Sequence, residues 1–131
     1  MARKSRKQRD AAPAMVETPA QKIYNAAAYT RLSREDAACL LVDHQSGLIS
    51  LVQDFSPDKF KNNVLALAAS ARYFGLPTIL TTSFENGPNG PLVPELKEMF
   101  AGAPYIARPG NINAWDNEDF VAAVKATGRR Q

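Results

Sequence analysis

Cysteine, histidine and tryptophan each occur once in the 131 residues. The single Cys39 excludes an intrachain disulfide and any multi-thiolate metal centre. With His44 as the only histidine, the ligand sets of ordinary catalytic zinc sites cannot be assembled, so no metal is expected. A membrane-crossing helix needs about 20 consecutive apolar residues, and no run approaches that length. No membrane role is therefore expected. One thiol without a partner fits a reducing compartment better than secretion. The expected location is cytoplasmic, with organellar import through a basic N-terminus as the other option.

What the chain does have is an ordinary globular composition, 45% hydrophobic and 22% charged. Its formal charge of +3 is unevenly placed. Arg3, Lys4, Arg6, Lys7 and Arg9 fall in the first nine positions, and the remaining chain carries 11 basic against 13 acidic residues. Such a tail suits an anionic surface, a targeting signal or a solvated extension. No aromatic residue precedes Tyr24 to stack on bases, so no specific nucleic-acid partner is expected. Residues 1–30 lack a sustained apolar period and carry Pro13 and Pro19, and they read as a flexible extension. The domain is expected over 31–131.

Within it, Ala37 to Val42 runs continuously apolar and stops at Asp43-His44-Gln45, the profile of a strand buried on both faces of a parallel sheet. Ser56, Pro57 and Asp58 open a helix. Its stripe is Phe60, Val64, Leu67, Ala68, Ala71 and Phe74, and Gly75 and Pro77 end it. Thr78 to Thr82 follows as a β-branched strand. Strand, helix and strand in this order make a right-handed βαβ unit. Glu85 to Pro91 reads as a loop at the C-terminal edge of its strand, where open α/β sheets place ligands. A short helix near Pro94–Phe100, a strand at Tyr105–Ala107 and a last helix from about Asn117 to Gly128 complete the pattern. A helix that delivers the chain to no further strand suggests a parallel sheet continued beyond Gln131.

The chemistry is expected at the strand ends. Asp43 closes the first strand and reads as a general base or as a turn cap. Gln45 suits either orientation of that base or fixing of the turn. Arg108, at the end of the third strand, is expected to meet Asp43 from a neighbouring strand, as a salt bridge or as a partner for a reacting anion.

Three segments then carry a resemblance. Leu40-Leu41-Val42-Asp43-His44-Gln45 resembles the first-strand aspartate motif of isochorismatase-like cysteine hydrolases. Thr78 to Pro91 resembles the second strand and substrate loop of the YcaC-type branch. Tyr105-Ile106-Ala107-Arg108-Pro109-Gly110, with Asn113-Ala114-Trp115-Asp116 behind it, is similar to the segment bearing that family's basic catalytic residue. The resemblance implies a three-layer α/β/α Rossmann-like parallel sheet with strand order 3-2-1-4-5-6, of which this chain holds the first three strands. It implies an Asp, basic residue and Cys triad that hydrolyses non-peptide C–N bonds of a small-molecule substrate without a cofactor, in a homo-oligomer. Asp43 matches the first member. Arg108 matches the second, where most of the superfamily has lysine. Arginine can stabilise an anion there but cannot shuttle a proton. Phe84, Glu85, Asn113 and Trp115, with Gln45, are the implied substrate contacts.

The nucleophile has no counterpart. Cys39 lies four residues before Asp43 on one strand, about 13 Å away at roughly 3.3 Å per residue, so it reads as a small buried hydrophobe. The chain therefore reads as the front part of such an enzyme, inactive without the remainder. The other function class is a non-catalytic α/β module that binds a ligand or a homologue through its open sheet edge.

Overall fold

The computed structural model describes residues 30–131, and the expected basic extension lies outside them apart from Thr30. Three strands, β1 (Cys39–Val42), β2 (Thr78–Ser83) and β3 (Tyr105–Arg108), form one parallel sheet in the order β1-β2-β3. Leu41 is in register with Leu80, and Leu80 with Tyr105. Four α-helices accompany them: α1 (Ser46–Ile49), α2 (Pro57–Tyr73), α3 (Pro94–Met99) and α4 (Glu118–Ala126). A 3-10 turn, Ala114–Asp116, precedes α4.

The sheet has a core on each face, which makes the architecture three-layered. Leu41 and Leu80 pack with Ala68 of α2, Ile49 of α1 and Leu96 of α3. On the opposite face Ile79 packs with Ala114 and Phe120, flanked by Leu40 and Ile106. Every residue of β2 is buried, as a central parallel strand requires, and no apolar/polar alternation survives in its sequence. Ala68 and Ala71 are the buried residues of α2, because small side chains let a helix lie close to the sheet. Asn117 caps α4 by accepting from the Phe120 amide at 2.9 Å.

Three expectations differ from this arrangement. The one-turn helix α1 is absent from the sequence reading, since four residues cannot display a helical period. Leu67 and Phe74, assigned to the buried stripe of α2, are about half exposed. They line an open apolar cleft of about 320 Å³ with Leu32, Leu40 and Leu76, beside β1. β3 is also not the neighbour of β1 that the reading of Arg108 supposed; β2 lies between them, in the 3-2-1 order the resemblance implied.

β1 is an edge strand among the described residues. Its pairing with β2 turns the amides of residues 39 and 43 inward, to Pro77 O and Thr81 O. On the other side the Ala38 amide donates to Gln131 O at 2.9 Å. The Arg130 and Gln131 amides donate to Asp36 O, and Gln131 Oε1 accepts from the Ser33 amide. The last described residue thus lies beside the start of β1, on the side away from β2.

Candidate active site

Asp43 and Arg108 meet at the C-terminal ends of the strands. Arg108 NH2 donates to Asp43 Oδ1 in a charge-assisted contact, with the arginine side chain fully buried and that of Asp43 24% exposed. Since β2 separates their strands, the arginine must reach over the sheet, roughly two strand spacings of about 4.8 Å each. Its length and its forked head make that possible. A second condition lies in the backbone of Asp43. Strand alternation would place residue 43 on the same face as Leu41, away from Arg108. Asp43 instead has φ 58°, a left-handed conformation that breaks the alternation and brings its carboxylate to the guanidinium. Aspartate is among the few residues that adopt it readily.

Arg108 has two further partners. Its Nε donates to Thr81 Oγ1 at 3.0 Å, and its NH1 donates to the Asn111 carbonyl. The planar guanidinium is therefore held on three sides by a hydroxyl, a carbonyl and a carboxylate. Thr81 and Asn111 escaped the sequence reading. A threonine in a strand reads only as a β-former, and a backbone carbonyl leaves no mark on composition.

Gln45 is also fully buried. Its Nε2 donates to Ser83 O at 3.0 Å and Gly90 O at 2.5 Å, and its Oε1 accepts from the Ser83 amide at 2.8 Å. An amide so engaged presents no group to a substrate, so Gln45 acts on the turn and loop rather than as a substrate contact. The loop after β2 is tied down along its length. Asn89 Nδ2 donates to Ser83 O at 2.8 Å, Ser46 N to Pro91 O, and Val93 N to His44 O. Gln45 and Leu92 form an isolated antiparallel bridge.

The remaining residues named from sequence are distributed around this pair. Phe84 follows β2 as Asp43 follows β1, also with a left-handed φ of 52°, and its half-exposed ring covers Gly87. Glu85 accepts from the Tyr105 hydroxyl. Asn113 caps the 3-10 turn, accepting from the Trp115 amide at 3.2 Å and donating to Asp116 Oδ1. Trp115 is 55% exposed and sits edge-on to Phe120, ring centroids 5.3 Å apart. Asp43 and Arg108 are brought into contact; Asn113 and Trp115 contact their own turn and α4.

Cys39 is half-buried against the core that contains Leu41, and burial pushes its thiol pKa up. That is the opposite of what a nucleophile needs. His44, beside Asp43, lines a small pocket with Val42, Leu48, Ile49, Val52 and Phe60, and its buried Nδ1 has no partner among the described residues. Burial lowers its pKa below the usual 6.5, against an opposing pull from Asp43. The folded protein thus binds this proton less readily than the unfolded chain. The His44 contribution is complete above about pH 6.5 and falls as the pH drops below it. The urea midpoint should decline between pH 7.5 and 5.5, and His44→Gln should flatten that decline. Glu35, Asp36 and Glu95, whose carboxyls are held low by hydrogen bonds, act only below their usual range near 4 and leave this window clear.

Comparison with known proteins decides the lineage of this site. The chain is 77% identical over 103 residues to the probable hydrolase YcaC of Escherichia coli (strain K12). The matched region is YcaC-like. The match takes in 79% of this chain and 50% of the E. coli protein, so the chain spans about half the length of the curated relative it matches. Two solved YcaC structures agree. YcaC from Pseudomonas aeruginosa, solved with hexane-2,5-diol and covalent acrylamide, is 80% identical with a TM-score of 0.77, over 79% of this chain and 51% of that one. The E. coli YcaC gene product, described as an octameric hydrolase of unknown specificity, is 77% identical with a TM-score of 0.76, over 79% and 50%. The parallel sheet and its helices are those of the YcaC fold over this span. No protein-family profile matches the chain. Among the described residues, no helix of this YcaC-like region is long and apolar enough to cross a membrane, and no group of three or more His, Cys, Asp or Glu is placed to hold a metal.

Proposed function

We propose that this chain carries two thirds of a cysteine-hydrolase triad of the isochorismatase-like superfamily, Asp43 as general base and Arg108 as electrostatic partner, acting on an amide-type small molecule. The observation that carries the reading is the Asp43–Arg108 pair, an aspartate turned out of its strand onto a fully buried guanidinium at the sheet's C-terminal edge. In the reaction a thiol attacks the substrate carbonyl carbon, Asp43 takes the thiol proton, and Arg108 stabilises the developing anion. The C–N bond then breaks, and the departing nitrogen takes the proton held by Asp43 and leaves as the amine. Water hydrolyses the thioester to the carboxylic acid and the free thiol. The covalent acrylamide in the Pseudomonas relative supports a nucleophile of this kind.

The thiol is not Cys39, which lies four residues before Asp43, at the far end of β1, and has a raised pKa. A base must lie within about 3 Å of the proton it removes, or act through one water. Phe84 and Glu85, on the loop after β2, are the substrate contacts this reading favours, with Asn113 and Trp115 from the segment after Arg108. The octameric E. coli relative supports assembly into a homo-oligomer.

The experiment is a fusion. The second half of the E. coli relative, joined after Gln131, should give thiol-dependent hydrolysis of simple amides. Asp43→Asn should reduce that rate by about a hundredfold or more, as loss of a general base does. The 131-residue chain without the fusion should show no hydrolysis above a Cys39→Ala control, and mass spectrometry should find no acylated Cys39. Full activity of the Asp43→Asn fusion, or acylation of Cys39, would remove Asp43 from the proposed role.

A further inference from the structure

Thr81 touches both members of the Asp43–Arg108 pair with different atoms. Its carbonyl accepts the Asp43 amide at 2.9 Å, and its hydroxyl accepts Arg108 Nε–H at 3.0 Å. A hydroxyl has one proton to give, and Thr81 gives it to Ile106 O at 2.8 Å. The two bonds are compatible, because a guanidinium only donates, so the hydroxyl oxygen accepts from Nε while its own proton goes to Ile106 O. Thr81 is completely buried, in the central strand of the sheet. Position 79, on the same face two residues earlier, is an isoleucine within an apolar cluster. Steric demand at 81 would be met equally by valine, so the hydroxyl itself needs a reason.

We infer that Thr81 is a positioning residue of the site, on the reading of Asp43 and Arg108 as the reacting pair. A guanidinium is rigid and planar, so fixing two of its nitrogens fixes the third. Thr81 Oγ1 holds Nε and the Asn111 carbonyl holds NH1, which leaves NH2 aimed at Asp43 Oδ1. The strand-centred hydroxyl thus sets the direction of the charge that faces the carboxylate. The Thr81 carbonyl, one peptide away, sets where that carboxylate begins. Neither function depends on which substrate the site takes.

Magic-angle-spinning NMR reads this in the whole 131-residue chain, whatever its state of association. The Arg108 Nε–H signal, assigned by its disappearance in Arg108→Lys, should exchange slowly with deuterated water in the native chain. Thr81→Ser keeps the oxygen and should keep exchange within about twofold. Thr81→Val keeps the volume and loses the acceptor, and exchange should quicken by about tenfold or more. The Asp43 carboxyl ¹³C shift should move in the valine variant and stay in place in the serine variant. Should Thr81→Val fail to fold, Thr81→Ala carries the same comparison with a smaller side chain. An unchanged Arg108 signal and Asp43 shift in the variant lacking the hydroxyl would overturn the inference, and so would a serine variant that behaves like it. Hydrolysis is not the readout, so failure here leaves the catalytic reading standing, and failure of the fusion leaves this result standing.

Discussion

Freshly purified as these 131 residues, the chain should run on size exclusion with light scattering at a mass well above that of one chain. β1 is the reason. Its side away from β2 has no paired strand among the described residues, and the backbone bonds found there, linking Asp36 and Ala38 to Arg130 and Gln131, lie before the strand begins. The strand Cys-Leu-Leu-Val carries no charge and no proline, so it lacks the usual protection against pairing with another chain. Val42 is 36% exposed, and the adjacent cleft adds Leu67, Phe74 and Leu32 to the same apolar surface. Val42→Lys should shift the population toward monomer without lowering the urea midpoint, because it places a charge on the open edge. A native chain that elutes as a stable monodisperse monomer would show that this edge does not recruit a partner.

Arg108→Met should cost about 3–5 kcal/mol of folding stability, the range for breaking a buried ion pair by removing one partner. The guanidinium is fully buried and serves three acceptors at once. Its loss leaves the Asp43 carboxylate, three-quarters buried, facing an apolar side chain. Arg108→Lys should lose less, because an ammonium keeps the charge although it cannot make all three planar contacts. Asp43→Asn in the Arg108→Met background should then cost less than it does in the native chain, since the ion pair it would break is already gone. Urea midpoints for the five chains (native, Arg108→Met, Arg108→Lys, Asp43→Asn and the double variant) check all three statements. A fall below about 1 kcal/mol for Arg108→Met would place the pair among surface salt bridges, which contribute little.

Much of this was legible in the sequence because parallel-sheet proteins write their strands as unbroken apolar runs. Leu40 to Val42 and Thr78 to Thr82 announce themselves that way, and Ser56-Pro57 and Gly75 punctuate the long helix between them. Asp43 and Arg108 stood out because a charge directly after such a run sits at a sheet edge. The remainder depends on direction, which composition does not carry. Gln45 turns inward to the loop backbone, and Thr81 offers its oxygen to an arginine two strands from Asp43. Leu67 belongs to the apolar period of α2, yet it projects past the last covered strand and stays in the open. A period identifies a face of a helix. It cannot say how far the sheet beneath that face extends.

Gly47 has a mechanical consequence. A Cβ at that position would stand 2.1 Å from Pro88 O and 2.8 Å from Asn89 O, closer than any real side chain comes. The Gly47 amide also donates to Asn89 O at 2.9 Å. Two backbones in such contact share their thermal motion. The turn that begins at Asp43 and the loop that holds Phe84 and Glu85 therefore move as one stiff wall. Any molecule that met this wall would face a fixed outline rather than one that yields to it. Enlarging residue 47 by one methyl group would split the wall along its seam.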